Sequence, residues 1–240
     1  VFMAEDALSE LGDARAALAL VNALDGATWA KGPEGKDIEV LKAIALFAEN
    51  HGDRDFATVV NIVIVARGTS AESESAQLGI IRNADKAKDW AGAAAACGDF
   101  LKRYPESKEA RNTGYLKASY EYQAGTYEAA LTTLKQFREK HGSADVMPNV
   151  LLLEGMSYSG LSRTDEALKS FDTLVEKYPK HRMAGKAEFL AGLALLSNQK
   201  YVEARQRFQR VVDFYPNDNS APKAKEYLDR LKDIPTEKPK

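Results

Sequence analysis

At 240 residues, with 45% hydrophobic and 28% charged residues, the chain can bury a sizeable core and is not a disordered polymer. A net charge of −2, with acids and bases interspersed, leaves no basic stripe for phosphates, so no nucleic-acid partner is expected. A single cysteine, Cys97, excludes an internal disulfide, and its setting in "AAAACGDF" predicts a packed thiol.

The chain opens on Val1 with no charged-then-apolar leader. We therefore expect a processed or trimmed piece, with any lipid anchor lying outside this fragment. Residues 3–26 have helix-forming composition, with Leu8, Leu11, Ala14 and Leu18 at helical spacing. Gly and Pro mark 31–37 as a loop, and "IEVLKAIALFAEN" (38–50) is an amphipathic helix. It ends at His51–Gly52, much as a later helix ends at His141–Gly142.

The segment "DFATVVNIVIVARG" (55–68) is rich in β-branched residues, which favour a strand. Yet Val59, Ile62, Val63 and Ala66 also fit a buried helical face, and a lone strand here would lack a partner. It reads as the helix of a degenerate repeat, with Phe56 standing 34 residues before Trp90. The nearly apolar run 59–66 is far short of the roughly 20 residues that span a bilayer, so no membrane span is expected. Residues 1–70 are thus expected to be degenerate helical repeats, within one solenoid or as an N-terminal extension. "GTSAESESAQ" (68–77) reads as a connecting loop plus a helix start.

From residue 71 the chain repeats every 37 residues. Trp90, Tyr127, Thr164 and Tyr201 form one column, and Ala93, Ala130, Ala167 and Ala204 a second. Cys97, Leu134, Phe171 and Phe208 form a third; Phe100, Phe137, Leu174 and Val211 a fourth. Spacings of three and four residues place these columns on one helical face. The second helices end at Tyr104–Pro105, Tyr178–Pro179 and Tyr215–Pro216, because proline has no N–H to continue the helix. At the equivalent place stands His141–Gly142, where glycine is expected to end the helix in a left-handed conformation. Ala118, Gly155 and Gly192 form a small-residue column in the first helices, with Ile81 at that position in the first unit. Thr164 or Asp165, and Ser143 or Asp145, are candidate N-caps. Ala221, Ala224, Leu228 and Leu231 line one face of a final helix, the candidate solenoid cap, and 234–240 reads as a disordered tail.

A small residue in a first helix, then an aromatic, alanine, a bulky apolar residue and proline in or after the second, resembles the tetratricopeptide (TPR) repeat. The third unit matches with Gly155, Thr164, Ala167, Phe171 and Pro179, the fourth with Gly192, Tyr201, Ala204, Phe208 and Pro216. The longer period and the Tyr–Pro endings are similar to a bacterial envelope subgroup that includes the β-barrel-assembly lipoproteins and the Tol–Pal accessory protein. The resemblance covers about residues 70–235 and implies an all-α, right-handed α-solenoid of antiparallel helix pairs.

His51, His141 and His181 are scattered and carry no metal-ligand spacing, and no nucleophile or phosphate-binding motif occurs. We expect no enzyme, no cofactor and no metal. The resemblance instead implies a concave wall of first helices that binds a protein or peptide. Its inner positions fall on Asn112, Tyr115, Ser119, Tyr122 and Gln123, then on Asn149, Leu152, Met156, Ser159 and Gly160, and on Lys186, Phe189, Leu193, Leu196 and Ser197. Leu152, Leu193 and Leu196 have a second reading as packed core. Tyr115, Leu152 and Phe189 stand where chaperone-adaptor repeats carry their carboxylate-clamping residue, so a terminal carboxylate is not the expected ligand. The expected function is a non-catalytic scaffold in a bacterial envelope assembly, periplasmic or outer-membrane-associated, with a cytoplasmic setting as the alternative. The other readings are an accessory domain of a larger enzyme or sensor, and a self-assembling scaffold.

Overall fold

A computed structural model describes residues 36–142 and 145–234. The helix-forming segment 3–26, most of the 31–37 loop, the candidate cap Ser143 and the tail from 235 lie outside them. The described residues form eleven helices and no strand. These are α1 (Lys36–Asn50), α2 (Arg54–Arg67), α3 (Ser70–Ala87), α4 (Trp90–Arg103), α5 (Ala110–Gln123) and α6 (Tyr127–His141). They continue as α7 (Met147–Gly160), α8 (Thr164–Lys177), α9 (Ala184–Ser197), α10 (Tyr201–Phe214) and α11 (Ala221–Leu231). The fold is all-α, built from TPR-like helix pairs. The chain divides into two compact units between Thr113 and Gly114, inside α5.

The pairs are closed by one repeated turn. Gly125, Ser162 and Gln199 have φ of +77°, +59° and +60°, and each follows the end of a first helix. The next N–H groups, of Thr126, Arg163 and Lys200, reach back to the carbonyls of Glu121, Tyr158 and Leu195, all at 2.9 Å. This 6→1 bond, made around a left-handed residue, is the Schellman way of satisfying carbonyls at a helix end. In the first unit Gly52 and Lys88 do the same, at φ +82° and +58°, with Asp53 and Asp89 bonding to Ala48 and Ala84.

This turn changes three expectations. Gly52 is the left-handed residue within a pair, whereas Gly142 has φ −69° and is not left-handed. Glycine is needed at 142 for room, since a Cβ there would stand 2.5 Å from the Arg138 carbonyl oxygen. Second, Arg163 takes the N-cap of α8 without a side-chain bond. Thr164 is buried, and its hydroxyl accepts from Asn198 Nδ2 at 2.7 Å instead of capping. Asp145 also falls outside the cap, because α7 starts behind Val146 with Pro148 in its first turn. Third, the caps align Asp53 with Asp89 and Ala57 with Ala93, so Phe56 does not correspond to Trp90.

The apolar columns are the core. Ala93, Ala130, Ala167 and Ala204 are fully buried, as are Cys97, Leu134 and Phe208, with Phe171 nearly so. In the second unit the small positions of first helices receive rings from second helices. A Cβ on Gly155 would collide with the Phe171 ring, and one on Gly192 would come within 2.6 Å of Phe208. The stack closes on α11, where Ala221, Ala224 and Leu231 are buried and Tyr227 stacks on Phe208 at 5.0 Å. Tyr104, Tyr178 and Tyr215 share φ near −130°, outside the helical region, as expected of residues before proline.

Replacing Gln199 by glycine removes the cost of a left-handed side-chain-bearing residue, about 1–2 kcal/mol, against a smaller loss of chain entropy. We expect Gln199→Gly to raise the melting temperature; a decrease would contradict the turn assignment. Ala167→Leu should cost about 1–3 kcal/mol by overpacking, and an unchanged denaturation midpoint would contradict the close helix approach.

Candidate functional site

The first-helix residues of the second unit divide by accessibility. On α5, Tyr115, Ser119 and Tyr122 are half-buried and Gln123 is exposed, while Asn112, just before the division, is exposed too. Tyr115 meets Phe137 edge-on at 6.2 Å, and Tyr122 lies 5.5 Å from Tyr127. Tyr127 in turn covers Gly160, where a Cβ would come within 2.6 Å of the ring. Burial lifts both phenols above the ordinary tyrosine range, the charge of Tyr127 adding to the effect at Tyr122, so both keep their donor O–H at neutral pH. On α7, Asn149, Met156 and Ser159 are half-buried, with the Ser159 hydroxyl donating to the Gly155 carbonyl at 2.9 Å. On α9, Lys186 and Ser197 are exposed and Leu193 and Leu196 half-buried.

Leu152 and Phe189 are not on an open surface. Leu152 packs with Ala167, Phe171 and Leu174, and Phe189 lies 5.6 Å from Phe208 and 5.9 Å from Tyr227. Both keep less than a tenth of their surface. The neighbouring second helix and the cap reach these positions, and a first-helix pattern does not register that. The core reading therefore holds for Leu152, while Leu193 and Leu196 are packed only in part.

Charged groups near this wall brace helices. Arg207 on α10 grips Asp172 on α8 through two bonds of 2.6 and 3.0 Å, and reaches Glu188 on α9 at 3.1 Å. Arg210 pairs with the other Glu188 oxygen at 2.7 Å. Burial works against the Arg207 cation, but the bonds and charges of Asp172 and Glu188 outweigh it and raise its pKa. Glu188 is 0% exposed, so removing both arginines would strand a buried charge. Among the described residues no group of three or more His, Cys, Asp or Glu is placed to hold a metal ion. His51 Nδ1 contacts the Phe47 carbonyl at 2.8 Å, a helix-end arrangement.

The first unit holds what the periodicity did not reveal. α2 is a helix, but its buried face is Phe56, Ala57, Val60 and Ile64; Val59 and Ile62 are 37% and 53% exposed, and Ala66 is exposed with them. That corrects the expected face. In α6, α8 and α10 the aligned positions carry Thr132, Lys135 and Glu139, then Lys169, Asp172 and Glu176, then Gln206, Gln209 and Asp213. The signal was a column shifted by one residue, hidden because the period here is 36. Asn61 and Asn83 are buried with amide atoms lacking a protein partner, each costing about 1–3 kcal/mol unless water serves them.

A family model described as YfiO, an outer membrane lipoprotein, matches residues 67–189 and, in an overlapping placement, 111–237. Each placement spans more than half of the chain. The chain belongs to the YfiO family. Comparison with curated proteins gave no match. Among solved structures, YrrB, a TPR protein with an unusual peptide-binding site, is similar at TM-score 0.57 and 18% identity, over 88% of this chain and 99% of that one. MamA from Desulfovibrio magneticus RS-1 is similar at TM-score 0.56 and 15% identity, over 78% of this chain and 100% of that one. A TPR protein from Parabacteroides merdae ATCC 43184 gives TM-score 0.53 and 17% identity, over 67% and 60%. At these identities the YfiO-family chain shares their fold. None of its described helices is long and apolar enough to cross a membrane.

Burial raises the Glu154 pKa above 4.5, and Arg138 at 3.3 Å only partly offsets it. The folded state therefore holds this proton more tightly, so the contribution of Glu154 to stability falls as pH rises above 4.5. We expect Glu154→Gln to gain stability relative to the parent between pH 4.5 and 7, measured by urea midpoints. A constant or shrinking difference would contradict the burial account.

Proposed function

We propose that this YfiO-family chain is a non-catalytic scaffold that binds a protein or peptide partner on the first-helix face of its second unit, within a bacterial outer-membrane or periplasmic assembly. One observation carries the proposal. Tyr115, Tyr122, Met156 and Asn149 remain half open on the first helices of this unit, and the Gln123 amide is exposed. Such a surface offers apolar area together with donors and acceptors for a peptide backbone. The family description supports the outer-membrane setting, and the peptide-binding site named for YrrB supports the class of partner.

Asn149→Arg with Met156→Arg should lower capture of a partner from an extract of the source organism by tenfold or more, with circular dichroism unchanged. Undiminished capture would remove this face from consideration.

The stripe of Val59, Ile62 and Ala66 favours a second reading, self-association through α2. An exposed apolar row where α6, α8 and α10 carry charged and polar groups is costly unless it is covered. Sedimentation at several concentrations should show assembly that Val59→Lys with Ile62→Lys abolishes; a monomer at every concentration would end this reading.

A further inference from the structure

Between the turn after α8 and the turn after α10 lies a groove of about 750 Å³, wholly within the second unit. Its floor and walls come from Pro179–Met183, the first turn of α9, and the run Phe214–Ser220. Lys180, Arg182 and Lys186 line it, all three exposed, with no ion pair to any described residue. One carboxylate, Asp218, shares the groove but is already engaged. It accepts from the Ser220 N–H at 2.7 Å, and it seats so closely on α9 that a Cβ on Gly185 would stand 2.8 Å away. His181 is likewise turned inward, its Nδ1 accepting from the Met183 N–H at 3.2 Å. At the rim Phe214 is 71% exposed, the most open large apolar side chain among the described residues.

We propose that this groove binds an acidic peptide segment carrying an apolar or aromatic residue, its carboxylates on Lys180, Arg182 and Lys186 and its apolar side chain on Phe214. The three uncommitted cations stand against one satisfied carboxylate, so the groove attracts anions in a chain that is acidic overall. Two uncapped helix starts support the same reading: α9 starts behind Met183 and α11 behind Ser220, each without a side-chain cap bond. Phe214 argues for a peptide over a bare anion, since a phosphate would leave the ring uncovered. The site lies on the connecting turns, and only Lys186 is shared with the first-helix wall. It rests on the reading of the chain as a peptide-binding scaffold and names a chemical class for one partner.

The probe is a fluorescein-labelled peptide with four Asp/Glu residues around one Phe, beside a peptide with Lys in place of each acid. Vesicles of phosphatidylglycerol with phosphatidylcholine form a third arm. Anisotropy with the full chain should show saturable binding of the acidic peptide, weakened at least tenfold in Lys180→Gln/Arg182→Gln/Lys186→Gln and several-fold in Phe214→Ala. Both variants alter exposed groups, so thermal melting should match the parent. Binding should also weaken with added salt. Absence of acidic-peptide binding, equal binding of the Lys peptide, indifference to the groove variants, or capture by vesicles alone would each overturn the proposal. Because Asn149 and Met156 are untouched in these variants, failure here is separable from failure of the first-helix wall.

Discussion

In the second unit, the structure depends on how closely a first helix approaches the rings of its partner. Gly155 and Gly192 present bare backbone to Phe171 and Phe208, and Gly114 stands 3.2 Å from Phe137 when a Cβ is added. A ring seated on backbone sets the interhelical distance for its pair. It leaves the fully buried alanines of the second helices, Ala130, Ala167 and Ala204, little space for anything larger. Once that distance is set, the connecting turn has little freedom of length, so the same left-handed turn recurs at Gly125, Ser162 and Gln199. At two of these positions the chain accepts backbone strain in a residue with a side chain. The 6→1 bond and the packing on either side compensate for it.

The same close packing explains why charges appear inside. A solenoid of short helices has many ends, and each buried polar group near them needs a partner. Arg207 holds three helices together through Asp172 and Glu188, with Arg210 completing the balance around a fully buried carboxylate. Glu154 is less well served, which is why burial governs its proton affinity. Both groups brace neighbouring helices of the second unit.

Different parts of the surface then differ in chemistry. The first-helix wall of the second unit is aromatic and amide-rich, the groove between the turns is cationic, and the outer stripe of α2 is apolar. These surface groups can change without touching the ring-on-backbone contacts beneath. Leu152 and Phe189 show the limit of that freedom, since positions that line the wall in pattern are used here by the core.

Much of this was legible in the chain itself. The 37-residue columns determined the helix pairs, the buried alanines and rings and the proline stops, because period and side-chain size act locally. The α2 helix was legible too, but its face was not: a period of 36 shifted the column, and an apolar residue at helical spacing does not say which neighbour covers it. The same holds for Gly142, where the sequence pointed to φ > 0 and the structure shows a carbonyl needing room. Tertiary packing alone decided that Phe189 turns inward to Phe208 and Tyr227 while Phe214 stays in solvent. It also set Lys180, Arg182 and Lys186 in one groove with Phe214 and Asp218, which come from the end of α10 and the turn after it. Exposure and convergence are properties of neighbours distant in the chain, and no local pattern encodes them.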